Sequence, residues 1–186
     1  MNDKVFNESV APLFTQSVNT YVAPTVIGVQ EENATQSGVM YFLTTGSISV
    51  VASGFLVVQM TNPVASGNMI NIARISGGAT VNTRIDLLRN ASFAAAGTSL
   101  TPRNTNFGYP DSSVVTAKYI SQSTDPTTGG QLLHSFIQPS AGGVVTFNYD
   151  GRIKMTPGTT FVIRLANLAT SANPMTSNIG WWETTL

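Results

Sequence analysis

The 186-residue chain is 42% hydrophobic and 10% charged, with nine basic and nine acidic residues and a formal net charge of zero, a balance that excludes intrinsic disorder, which needs low hydrophobicity with high net charge. With no cysteine in the sequence, neither a disulfide framework nor a thiolate metal site is available. The neutral balance gives no electrostatic footprint for nucleic acid, and no apolar run approaches the roughly 20 residues of a membrane span.

The length suits one well-buried domain with an appendage. A surface of amides and hydroxyls has little self-repulsion, so copies can pack side by side. The opening MNDKVFNESVAPLF has neither the basic region nor the apolar run of a Sec-type signal peptide. An external role is therefore expected to depend on lysis or a signal-independent route.

In chain order, residues 1–36 stand apart. No glycine precedes Gly28, Pro12 and Pro24 interrupt any helical spacing, and Val5, Phe6, Val10, Leu13, Phe14, Val18, Tyr21 and Val22 are spread through polar sequence. An extended arm is expected, with these eight residues as its anchors. Asp3, Glu8, Glu31 and Glu32 against Lys4 leave the arm at −3, while the remaining five acids and eight bases leave the body, residues 37–186, at +3.

From Ser37 onward, strand signals come at short intervals. Strands are predicted over 39–44, 47–51, 55–61, 69–75 and 81–90. Asn62-Pro63 and Ser66-Gly67-Asn68 mark the loop of an expected hairpin, Gly77-Gly78 an expected strand end, and alternation from Val81 to Leu87 a half-buried strand. Pro102, Gly108 and Pro110 break the segment 96–112 into the largest internal loop, whose length fits a crossing between sheets. Further strands are expected at 114–121 and 131–138, joined as a hairpin through the turn cluster DPTTGG. Two more, at 144–149 and 152–155, flank Asp150-Gly151, a pair suited to a type I′ turn. The last two cover 160–168 and 175–183. About nine or ten strands without a convincing amphipathic helix make the fold class all-β, an antiparallel jelly-roll-like β-sandwich with an extended N-terminal arm. FLVVQMTNPVASGNMINIARIS and FVIRLANLATSANPMTSNIGWW echo one another as strand, Asn/Pro/Ser loop, strand, which is read as shared hairpin grammar.

The residues point to no catalytic constellation, and no enzyme, cofactor or metal is expected. His134 is the only histidine, so triads and histidine-rich metal sites lack partners. Asp86, Asp111, Asp125, Asp150 and Glu183 are scattered singly, and Asp125 and Asp150 have turn duty. Neither GxxxxGK[ST] nor GxGxxG occurs. Arg74, Arg84 and Arg89 surround Asp86 and lack the aromatic interleaving of a single-strand binder. In Trp181-Trp182 one indole should face inward and the other outward, where the outer ring could hold a glycan, lie under a partner's arm, or pack on its own sheet.

The arm suggests strand addition, in which an extended segment pairs with an exposed sheet edge of a neighbour. Extended, 36 residues reach on the order of 120 Å. Arm and receiving edge are different surfaces, so the contact is head-to-tail and builds rings or filaments.

The arm and body, with GFLVVQMTNP, RISGGATVNTRIDLLRN, LTPRNTNFGYPDS, DGRIKMTPGTTFVIR and the terminal NIGWWE, resemble endospore appendage subunits of Bacillus-type Firmicutes. The resemblance covers nearly the whole chain, apart from the cysteines that cross-link better-known members. It implies a structural subunit on the spore surface or another extracellular fibre, a homopolymer locked by N-terminal connectors. Its partners would be copies of itself and a spore-surface anchor or tip protein, with no nucleic acid or membrane. The alternative is a trimeric jelly-roll binding module of a phage fibre or spore surface that recognises a glycan or receptor.

Overall fold

A computed structural model describes residues 30–138, 141 and 143–186. The eight anchors of the arm lie outside these residues. Residues 30–36, expected as part of an extended arm, instead form a short helix, α1 (Gln30–Gln36). Its buried Ala34 joins Met40, Ala73 and Trp182, so packing on the body stabilises a helix too short to persist alone.

Twelve strands follow. The first sheet contains β1 (Met40–Thr44), β2 (Ile48–Val50), β4 (Asn68–Ala79), β7 (Arg103–Asn104), β10 (Gly143–Met155) and β12 (Asn173–Thr185). Its order is β10-β4-β12-β1-β7, with β2 also on β12. The second contains β3 (Phe55–Thr61), β5 (Thr83–Ser92), β6 (Thr98–Leu100), β8 (Thr116–Gln122), β9 (Thr128–Gln138) and β11 (Thr160–Asn167), in the order β6-β8-β3-β11-β5-β9. All of the pairings are antiparallel. The two four-strand blocks, β10-β4-β12-β1 and β3-β11-β5-β9, are the two sheets of a jelly roll.

Trp181, Leu56, Val58, Met60, Ile72, Ile163 and Leu165 belong to the core between the sheets. A second cluster, Val57, Leu88, Ala91, Phe93 and Val162, covers the outer face of the second sheet. Burial on both faces explains why β3 and β11 are near-continuous apolar runs rather than strict alternations.

Strand adjacency overturns the local hairpins. β3 and β4 lie in different sheets, so the Asn62–Asn68 connection is a crossover. The β8–β9 hairpin is also absent, because β8 pairs with β3 and β6 while β9 pairs with β5. The turn cluster runs into β9 from Thr128, and Gly77-Gly78 lies inside β4 instead of ending it. A Cβ on Gly78 would run into the Gly143 carbonyl oxygen, so glycine there permits close backbone approach.

Asp150 and Gly151 do take positive φ angles, 49° and 76°, but the chain does not reverse. Asn148 pairs with Arg74 and Ile153 with Ile72, so residues 149–152 bulge out opposite Ala73 alone and β10 continues along β4. The two echoing segments are neighbouring crossovers, β3 to β4 and β11 to β12. Each begins with a buried asparagine that ties it to another connection. Asn62 Nδ2 donates to Met155 O at 2.9 Å, and Asn167 Nδ2 to Val51 O at 2.9 Å.

Candidate interaction surface

Both tryptophans are buried. Trp181, 0% exposed, stacks with Tyr41 at 6.1 Å in the core, and its Nε1 donates to Glu183 Oε1 at 3.3 Å. Trp182 does lie outside that core, in the cluster with Ala34, Met40 and Ala73, but it is only 8% exposed. The bulge closes over it, since a Cβ on Gly151 would fall 2.5 Å from Trp182 Cη2. Its own chain covers the outward ring, which therefore offers no open platform for a glycan.

Strand order brings together charges that sequence spacing left apart. Arg164 on β11 stands directly opposite Asp86 on β5, and its Nη2 donates to Asp86 Oδ2 at 2.8 Å. Arg164 also pairs with Asp125, whose Oδ1 takes the Thr127 N–H in the expected turn. Arg84 pairs with Asp86 at 3.0 Å, and Ser135 of β9 donates to its other oxygen. Burial raises the Asp86 pKa, but the hydrogen bonds from Ser135 and Arg164 and the charges of Arg84 and Arg164 outweigh it and hold the carboxyl below its ordinary range. The two carboxylates thus share an arginine and brace β9 against β5. Only the alternation of Arg84 and Asp86 was legible in sequence; Arg164 needed the register. Among the described residues no group of three His, Asp or Glu side chains could hold a metal ion.

On one side of the sandwich β9 and β10 end their sheets, and among the described residues no strand pairs beyond them. β9 is eleven residues long and β10 thirteen, and most residues of β9 are exposed. Ile137 and Val144 are 64% and 71% exposed. Between these edges His134 Nδ1 lies 3.0 Å from Tyr149 Oη, and the His134 ring meets Phe136 at 5.4 Å and Phe147 at 5.3 Å. Partial burial raises the Tyr149 pKa above its ordinary value.

At one end of this seam lies a groove of about 360 Å³. Leu133, Ile153, Met155 and Phe161 supply apolar lining, and Arg89, Arg152 and Lys154 supply positive charge. Arg152 pairs with Asp150 at 2.7 Å; Arg89 and Lys154 have no ion-pair partner among the described residues. The lining includes no carboxylate. Such a surface suits an extended segment carrying both apolar and acidic side chains. Comparison of the chain with protein-family models, curated proteins and solved structures finds no match.

Proposed function

We propose that this protein is a structural subunit that self-assembles non-covalently into a surface fibre by inserting its N-terminal arm into a neighbouring subunit. The observation that carries the reading is the pair of long edge strands, β9 and β10, on one side of the sandwich, with no strand beyond them among the described residues. Such edges are templates for strand addition, and monomeric proteins usually shorten, charge or cover them. The near-neutral, weakly charged composition lowers the cost of close packing between copies. The resemblance to endospore appendage subunits supports a fibre on the spore surface or in another extracellular setting. The reading assigns no catalytic role.

Negative-stain electron microscopy of the purified protein over a concentration series tests it. Uniform filaments with a regular repeat are expected, and deletion of residues 1–20 is expected to abolish them while circular dichroism retains the β signature. Continued filament growth by the truncated chain overturns the arm mechanism. A discrete trimer that binds carbohydrate would replace the fibre reading with that of a binding module.

A further inference from the structure

We infer that the open side formed by β9 and β10, with the groove at one end of their seam, receives residues 1–29 of a second copy, with Arg89, Arg152 and Lys154 facing the acidic residues of the incoming segment. The inference rests on the assembly reading above and adds the receiving site to it.

Three observations converge here. From Thr128 to Gln138, β9 contains no charged residue and no proline, two of the devices that keep an edge from pairing, although a bulge at Leu133 interrupts its register with β5. An added strand would supply the cover that Ile137 and Val144, both more than half exposed, do not receive from the described residues of their own chain.

The chemistry of the groove also matches that segment. Residues 1–29 hold Asp3 and Glu8 against Lys4, a net −1, close to Val5, Phe6 and Val10, a mixture of acids and apolar anchors. The groove offers the complement, with cations beside Leu133, Ile153 and Phe161. Opposite charges across such a contact set register and speed encounter, while the apolar floor supplies burial.

The third observation is where the segment joins the body. α1 begins at Gln30, and Glu31 lies 3.8 Å from Arg74 on β4, the strand next to β10. From that point, 29 residues can reach on the order of 95 Å when extended. This exceeds the width of a compact body of this size, roughly 30 Å across, so the segment can span to an adjacent copy.

Because the chain has no cysteine, single introduced thiols make a clean test in the full-length protein. Isotope-labelled chains carrying Val5→Cys, Val10→Cys or Val18→Cys are mixed in turn with unlabelled Leu133→Cys chains under assembly conditions. The mixtures are treated with a bismaleimide, and the products are assigned by mass spectrometry. Phe107→Cys, 99% exposed and on the opposite side of the sandwich, is the accessibility control.

Labelled–unlabelled products through position 133 should exceed those through position 107 by at least about tenfold for one or more arm positions, as expected from the raised effective concentration of a docked segment. Adding Arg89→Glu and Lys154→Glu should reduce that yield several-fold. Equal yields at positions 133 and 107 overturn the groove. Cross-links confined to single chains in a Val10→Cys/Leu133→Cys double variant overturn the second copy as occupant. If the truncation above stops assembly while positions 133 and 107 react equally, the arm reading stands and the groove assignment alone fails.

Discussion

The two lateral sides of this jelly roll solve the same problem in opposite ways. On one side the sheets end in β7, two residues long, and β6, three residues long. The connection that follows is clamped down. Asn104 Nδ2 donates to Gly38 O at 2.7 Å, Asp111 accepts from the Asn104 N–H at 2.7 Å, and Glu183 accepts from Ser113 Oγ and the Val114 N–H. On the other side β9 and β10 run for eleven and thirteen residues with no strand beyond them among the described residues. An edge in a sandwich is closed when a connection is long enough to return over it and polar enough to pay for its own backbone there. The insertion after β5 meets both conditions, and no described segment does the same at β9.

Four substitutions break or sharpen this contrast. The largest loss is expected from Glu183→Ala on the closed side. It strands the Trp181 indole N–H, the Val114 N–H, Ser113 and Asn68, and should cost about 3 kcal/mol in urea denaturation. Next is Gly151→Ala, in the bulge that closes over Trp182. A positive φ of 76° and a 2.5 Å approach to the indole should cost about 2 kcal/mol, with a change in near-ultraviolet circular dichroism as the indole shifts.

Asp86→Asn loosens the brace that holds β9. Folding lowers the Asp86 pKa, so its stabilising contribution is complete above the unfolded-chain value of about 3.9 and is lost as pH falls through the folded value. The variant should therefore be less stable at neutral pH by about 1–2 kcal/mol, with the difference from the parent shrinking in denaturation curves taken below about pH 4. The smallest effect on stability belongs to Leu133→Lys on the open side, within about 0.5 kcal/mol of the parent by thermal denaturation. Its assembly should nevertheless be impaired in light scattering. A large loss of monomer stability from Leu133→Lys would show that the open edge is already closed by its own chain.

Most individual strands could be read from the sequence. β3 matches its expected bounds because Phe55–Thr61 is rich in β-branched and apolar residues between turn signals. The pairing of strands was not legible. Asn62-Pro63 and Ser66-Gly67-Asn68 mark a loop equally well whether the chain turns back within one sheet or crosses to the other. Asp150-Gly151 has the positive φ angles of a hairpin turn, yet β4 offers a partner on both sides of it, so the pair makes a bulge. Strand alternation required one of the two indoles to face outward without selecting it; the fold made Trp182 the outer one and covered it with Ala34, a helix away, and the bulge at Gly151. The seam left no local signal except the uncharged run of β9.

Composition, turn residues and apolar patterning by themselves determined an all-β sandwich without disulfides, because these properties act over a few neighbouring residues and need no knowledge of what lies across the fold. Only the tertiary structure decided which strands became edges, which indole was covered, and which arginine met Asp86. Those outcomes depend on contacts between residues far apart in sequence, and a jelly roll sends successive strands to opposite sheets.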